Sequence, residues 1–106
     1  MVVHDLKCWP DEYTAIAHGE KGFEFRWDDR GYAVGDILAL RCWCPHTERY
    51  LFDAVVDRQV TYVLRGPDFG VPPGYVVLSI SPSIRRIGTM AETPRTTTDE
   101  TGEVET

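Results

Sequence analysis

Three charged residues in the stretch Gly-Glu-Lys-Gly-Phe-Glu-Phe-Arg at 19–26 have the types and spacing to bind a polar ligand. Lys21, Glu24 and Arg26 place an ammonium, a carboxylate and a guanidinium group within six residues. Such groups together hold planar polar ligands, for example a base, a phosphate or an amide. In an enzyme, Lys21 and Glu24 would be the acid–base candidates. The alternative is a surface ion pair of Glu24 with Arg26 or Lys21, which contributes about 0–1 kcal/mol.

A strand over residues 22–27 would position these groups. Side chains alternate between the two faces of a strand, so Glu24 and Arg26 would share one face, and Phe23 and Phe25 the other. We expect the aromatic face to pack into the core and the charged face to line a surface or a cleft.

The flanking segments predict further strands and one helix. Residues 2–8 are strand-like, and a helix over about 11–18 opens at Pro10-Asp11 and stops at Gly19. Further strands are predicted at 37–43, at 50–64 with a bend or bulge near 57–59, and at 75–81. Residues 66–74 hold three Pro and three Gly and predict an irregular loop.

These elements predict a mostly β (α+β) fold, with the sheet closed into a small barrel that leaves no exposed edge. We expect one domain over residues 1–88. Residues 89–106 are rich in Thr, Glu and Asp and poor in apolar residues, which predicts a disordered acidic tail.

The Gly-x-Lys-x-x-Glu-x-Arg pattern resembles the signature of ASCH domains, a branch of the PUA-like superfamily. Four further segments follow in the order expected of that family: His4-Asp5-Leu6-Lys7, Asp29-Arg30, residues 34–38 and residues 74–78. The resemblance covers roughly residues 3–81. It implies a PUA-like β-barrel with one or two short helices and a cleft beside the first helix. The opening His-x-Leu-Lys is similar to a phage and bacterial subfamily of unassigned function.

The resemblance implies a module that binds RNA or a nucleotide in a charged cleft. Trp27 and Tyr75 would stack a single-stranded or modified base, although core packing is the alternative for Trp27. His4 would contact the ligand or serve as a hydrogen-bonded residue of its strand. The candidate binding residues are His4, Lys7, Lys21, Glu24, Arg26, Trp27, Arg30 and Tyr75.

Two other functions stay open. One is a small enzyme of nucleic-acid metabolism, either a nucleoside amidohydrolase or an RNase, with Lys21 and Glu24 as catalytic residues. Some ASCH relatives that hydrolyse acylated cytidine carry a Thr nucleophile where this chain has Glu24, so that nucleophile is missing here. The other is a phage protein that binds a host protein partner, with the acidic tail as a candidate contact.

The charge is unevenly distributed along the chain. The net charge is −6, and residues 91–106 hold five acids and one base, which sum to −4 and leave −2 for the rest. A nearly neutral domain argues against strong binding of duplex DNA and favours single strands or one modified base. The sequence has no apolar run of about 18 residues and no signal peptide at Met1–Asp5, so we expect no membrane association and a cytoplasmic protein, in the host cytoplasm if phage-encoded.

The three cysteines do not predict a disulfide framework. Cys42, Cys44 and His46 alternate as on a strand, and they would need Cys8 as a fourth ligand to complete a zinc site. Buried cysteines that act as small apolar side chains are the favoured alternative. We therefore expect no metal and no cofactor.

Overall fold

Five β-strands and one α-helix make up residues 1–82, the part of the chain that the computed structural model describes. The acidic tail and the domain boundary at residue 88 lie outside the described residues. The fold is a mostly β, α+β domain, and its element limits agree with the predicted ones to within two residues. The elements are β1 (Val3–Cys8), α1 (Pro10–Ala17), β2 (Phe23–Trp27), β3 (Ile37–Cys44), β4 (Arg49–Arg65) and β5 (Tyr75–Ile80), with a short 3₁₀ turn at Asp68–Gly70.

The five strands form one mixed sheet in the order β1-β3-β4-β5-β2. β1 runs parallel to β3, and the other neighbours are antiparallel. Within residues 1–82 the sheet is not closed, because β1 and β2 are its two edges. The predicted closure by strand pairing is therefore wrong for the described residues.

Arginine side chains occupy the place where closure was expected. Arg26 on β2 donates from Nη2 to the carbonyl oxygen of Lys7 on β1 at 2.7 Å. Arg30 Nη1 lies 3.5 Å from the carbonyl oxygen of Asp5. These carbonyl groups of the β1 edge thus accept hydrogen bonds from guanidinium groups and not from the backbone N–H groups of another strand.

β4 is long because it pairs with two neighbouring strands in turn. Its residues 49–50 and 55–59 pair with β3, with a register shift between Arg41 and Trp43, and its residues 60–65 pair with β5. The irregularity predicted near residues 57–59 lies just after them, since those residues keep a regular register with β3. The register against β5 shifts between Val60 and Tyr62, where one extra residue is accommodated on β4.

The core lies between α1 and one face of the sheet. Tyr13 and Ile16 are the buried residues of α1, and they pack on apolar side chains of the sheet. The first four residues of β3 are apolar and all buried, whereas Trp43 near its end is only half-buried. The core cluster comprises Leu6, Cys8, Tyr13, Ile16, Tyr32, Leu38, Leu40, Cys42, Val60, Val76, Leu78 and Ile80.

The two faces of β2 are reversed relative to the prediction. Glu24 and Arg26 are 5% and 7% exposed, whereas Phe23, Phe25 and Trp27 are 46%, 50% and 56% exposed. A period of two separates the faces of a strand but does not say which face points inward. The charged face is buried here because its two charges pair with each other and Arg26 also reaches a backbone carbonyl. Charges are tolerated in an interior only with such partners.

Candidate functional site

A cavity of about 280 Å³ lies between the end of β1, the start of α1 and β2. We call it the β1–β2 cavity. Its volume is near the lower end of the range for small-molecule pockets, about 300–1,000 Å³. It brings together four of the predicted binding residues. It is lined by Lys7, Cys8, Trp9, Glu12, Lys21, Glu24, Phe25 and Arg26.

Four side chains of alternating charge run along this cavity, and we call them the ion-pair chain: Glu12, Lys21, Glu24 and Arg26. Lys21 Nζ lies 2.5 Å from Glu12 Oε1 and 3.7 Å from Glu24 Oε2. Glu24 Oε1 accepts from Arg26 Nε at 2.8 Å. A separation of 3.7 Å is too long for a hydrogen bond. Glu24 Oε2 and Lys21 Nζ therefore form an adjacent acceptor and donor beside the cavity.

The end of α1 determines where Lys21 lies. Gly19 adopts a φ of +80°, a left-handed conformation that suits glycine after a helix. The N–H groups of Glu20 and Lys21 then both donate to the carbonyl oxygen of Ala15, at 2.8 and 3.1 Å. This turn holds Lys21 at the end of the helix, within reach of Glu12 on α1 and Glu24 on β2.

Sequence reasoning missed four residues of the cavity. Cys8 at the end of β1, Trp9 and Glu12 at the entrance of α1, and Phe25 on β2 line it together with the predicted residues. A signal for the first three was present, because a helix that starts two residues after β1 must carry its first turn beside the end of that strand. Lys7, at the same end of β1, has its Nζ 4.0 Å from the centroid of the Trp43 ring, a cation–π contact.

The Cys8 thiol is the only cysteine side chain in the cavity lining. Burial, followed by the negative charge of Glu24, raises the pKa of Cys8 to about 12. The thiol is therefore protonated at neutral pH and is a poor nucleophile.

His4 and Arg30, two of the predicted binding residues, do not line the cavity. His4 is buried, with Nε2 2.9 Å from Asp36 Oδ2 and its ring at 4.8 Å, edge to face, from the Tyr32 ring. This arrangement corresponds to the hydrogen-bonded strand residue considered as its alternative. Arg30 lies near the Asp5 carbonyl and 3.9 Å from Asp29 Oδ1.

Asp36 connects β1 to the turn before β3. Its carboxylate accepts from the N–H groups of Val2 and Ala33, at 3.1 and 3.0 Å, besides its contact with His4. Burial acts to raise the pKa of Asp36, but the hydrogen bonds from His4 and the two backbone N–H groups outweigh it and hold the pKa below its usual value.

Trp27 and Tyr75 lie on the outer face of the sheet, together with Phe25 and Phe23. The Phe25 and Tyr75 rings are stacked, with centroids 5.3 Å apart and planes at 13°. Trp27 meets the same Tyr75 ring edge to face, also at 5.3 Å. Phe25 is the member of this group that also lines the β1–β2 cavity.

The three cysteines considered for a metal site differ in their burial. Within residues 1–82, no three His, Cys, Asp or Glu residues are grouped so that they could hold a metal ion. Cys8 and Cys42 are neighbours in the parallel register and are buried, whereas Cys44 is half-buried.

Of the helices in the described segment, none has the length and apolar character to cross a membrane.

The comparisons with known proteins identify a family but no curated relative. No curated protein matches the chain. The model of one family, described as a domain of unknown function, matches residues 3–80 and so spans β1 to β5, including every residue that lines the β1–β2 cavity. The chain belongs to this family, DUF3850.

Proposed function

We propose that this protein binds RNA or a nucleotide and that the β1–β2 cavity holds one of its bases. The observation that carries the proposal is the acceptor and donor pair formed by Glu24 Oε2 and Lys21 Nζ. Arg26 holds the other oxygen of Glu24, and Glu12 holds Lys21, so both groups are oriented before a ligand arrives. Preorganised polar groups in a small cavity give specificity at a low cost in ordering.

The chemistry of the cavity suits a planar base. Nucleobases present hydrogen-bond donors and acceptors side by side on their edges. Glu24 would accept from an exocyclic amine or ring N–H, and Lys21 would donate to a carbonyl or ring nitrogen. The half-exposed rings of Trp9 and Phe25 provide apolar surfaces on which a base can stack.

The local charge also favours an anionic ligand. The cavity lining carries three bases and two acids, a net charge of +1. Residues 1–82 as a whole hold twelve acids and eight bases, a net charge of −4. A small positive site on an acidic domain suits one phosphate or a short single strand better than a duplex, whose binding requires many phosphate contacts.

The family supports a finer proposal about the fold. The match to DUF3850 over residues 3–80 covers the same segment as the resemblance to ASCH domains, including the signature at residues 19–26. We propose that the domain is a PUA-like barrel in which the gap between β1 and β2 is bridged by Arg26 and Arg30. The β1–β2 cavity beside α1 then corresponds to the cleft that the resemblance implies.

An enzyme of nucleic-acid metabolism is the second candidate, and the presence of Lys21 and Glu24 side by side in the cavity favours it. Either a nucleoside amidohydrolase or an RNase would have to use them as acid–base groups. No Ser, Thr or Tyr hydroxyl lines the cavity, and the Cys8 thiol is protonated. The nucleophile would therefore be an activated water in the amidohydrolase, and a water or the 2′-hydroxyl of the RNA in the RNase, so binding is the function that the lining supports better.

Calorimetric titration tests the proposal. Wild-type protein is titrated with the four ribonucleoside monophosphates and with a short single-stranded RNA, beside Lys21→Met, which keeps the apolar stem and removes the donor. We expect Lys21→Met to lose at least about tenfold in affinity, the effect of one charged hydrogen bond. Arg49→Ala is the control, since it removes one positive charge from β4 outside the cavity lining.

Three outcomes separate the candidates. Binding that Lys21→Met weakens and Arg49→Ala does not, with ligand recovered intact by mass spectrometry, supports a binding module. Lys21-dependent cleavage of the RNA, or Lys21-dependent loss of the acyl group from acylated cytidine incubated in parallel, would replace the binding module by an enzyme. A folded wild-type protein that binds no nucleotide and no RNA would overturn the proposal and direct attention to a protein partner.

A further inference from the structure

Four aromatic side chains form a continuous row on the outer face of the sheet. Phe23, Phe25 and Trp27 follow one another at alternate positions of β2, and Tyr75 lies opposite Trp27 on β5. We call them the aromatic row. Large exposed apolar surfaces of this kind mark interaction sites in soluble proteins.

Three rings of the aromatic row contact one another, although Phe25 and Trp27 are half exposed. Tyr75 is stacked on Phe25 and meets Trp27 edge to face. The Trp27 ring also lies directly over Gly74, where a Cβ atom would be 2.5 Å from the ring carbon Cζ3. An indole that is half exposed and yet seated on a glycine offers a rigid flat surface to a partner.

The aromatic row is continuous with the β1–β2 cavity at two points. Phe25 belongs to both. Lys21 lines the cavity, and its Nζ also lies 4.9 Å from the centroid of the Phe23 ring. A ligand that extends from the cavity along β2 would therefore contact the Lys21 ammonium group and then the aromatic rings.

We infer that the aromatic row stacks the bases that flank the base in the cavity, so that the ligand is a single-stranded nucleic acid of several nucleotides. This inference rests on the proposed function. Alternate residues of a strand are about 6.7 Å apart, and exposed aromatic side chains on sheets stack two or three successive bases in RNA-binding domains. The row is entirely aromatic and begins at the Lys21 ammonium group beside the Glu24 acceptor, a combination that suits the bases and phosphates of a nucleic-acid strand.

The dependence of affinity on ligand length tests the inference. Wild-type protein is titrated with one nucleotide and with RNA oligomers of three, five and seven nucleotides at one fixed salt concentration. We expect affinity to rise with length by roughly 5- to 150-fold for each base that stacks, and then to level off when the row is filled.

The variant Trp27→Leu tests whether the aromatic row causes the dependence of affinity on ligand length. Leucine keeps an apolar side chain over Gly74 but removes the flat ring, so the ratio of oligomer affinity to mononucleotide affinity is expected to fall toward one. Trp27→Phe restores a ring and is expected to recover most of that ratio. Phe69→Ala is the control, because Phe69 is 90% exposed, lies in the loop before β5 and is not one of the four rings of the aromatic row. Circular dichroism confirms that each variant is folded.

The outcomes distinguish this inference from the proposed function. If the wild-type protein binds a mononucleotide as tightly as an oligomer, the aromatic row is not a base platform and the proposed function stands. If neither binds, both fail together. If Trp27→Leu leaves the ratio unchanged but converts a dimer into a monomer in light scattering, the row is an interface between copies of the chain, and the inference is overturned.

Discussion

The guanidinium group of Arg26 joins the two edges of the sheet: it donates from Nη2 to the backbone carbonyl of Lys7 at 2.7 Å. The same side chain donates from Nε to Glu24 at 2.8 Å. One residue of β2 thus fixes the position of β1 and orients a carboxylate of the β1–β2 cavity. Structure and ligand site depend here on the same buried charge.

Removal of Arg26 is predicted to destabilise the fold strongly. Arg26→Met leaves Glu24 as a buried charge without its main partner and the Lys7 carbonyl without its donor. The expected loss in the free energy of unfolding is about 3–5 kcal/mol, measured by urea denaturation. The double variant Arg26→Met with Glu24→Leu removes both charges and is expected to be more stable than Arg26→Met alone. A single variant that loses less than about 1 kcal/mol would show that the pair is not structurally important.

The outline of the fold could be predicted from the sequence because it depends on local patterns. The helix start at Pro10, its end near Gly19 and the apolar run of β3 each predicted an element correctly. The open edge between β1 and β2 could not be predicted in this way. It depends on where the Arg26 side chain reaches after the chain has folded, a contact across 19 residues of sequence.

Part of the candidate site could also be predicted from local sequence patterns. Lys21 and Glu24 are close in sequence and are close in the cavity. The orientation of β2 was predicted wrongly because hydrophobicity suggested that its aromatic face is buried, whereas the mutual pairing of Glu24 and Arg26 outweighs that preference. His4 is grouped with the site through the resemblance of its His-x-Leu-Lys strand, but its hydrogen bond to Asp36 holds it outside the cavity lining.

The cysteines are predicted to differ in reactivity. Hydrogen bonds from Thr47 and the backbone N–H of His46 hold the pKa of the Cys44 thiol below its usual value, whereas burial raises the pKa of Cys42 and brings that of Cys8 to about 12. Iodoacetamide at pH 7.5 should therefore modify Cys44 first and leave Cys8 and Cys42 unmodified in the folded protein, as mapped by mass spectrometry. In urea all three should react. Faster modification of Cys8 than of Cys44 in the native state would contradict the burial argument.

Asp36 is predicted to make the fold sensitive to acid. Its pKa is lower in the folded protein than the value of 3.8 expected for an unperturbed side chain, so the unfolded state binds the proton first. The stability that Asp36 contributes is present above about pH 3.8, and it is lost as the pH falls through the lower folded pKa. Asp36→Asn should reduce stability at neutral pH by about 1–3 kcal/mol and should flatten the decrease in stability below pH 4.

Urea denaturation between pH 2.5 and pH 7 measures this dependence on pH. Asp53→Asn is the matched control, because Asp53 is exposed on β4 and its replacement removes the same formal charge. If Asp36→Asn and the wild-type protein lose stability over the same pH range with the same slope, the buried hydrogen bonds of Asp36 are not the source of the acid sensitivity.

Glycine is predicted to be required at position 74 for two reasons: its backbone φ is positive, and the Trp27 ring leaves no room for a Cβ atom. Its φ is +87°, and an added Cβ atom would lie 2.5 Å from the ring of Trp27. Gly70 has a similar φ of +80°, but nothing lies within 4 Å of an added Cβ atom there. Gly70→Ala therefore measures the conformational penalty alone, about 1–2 kcal/mol. Gly74→Ala should lose more than Gly70→Ala in urea denaturation, because the ring must also move. Adding Trp27→Ala to Gly74→Ala should remove the excess, and an excess that persists without the ring would assign the requirement to the backbone of the loop.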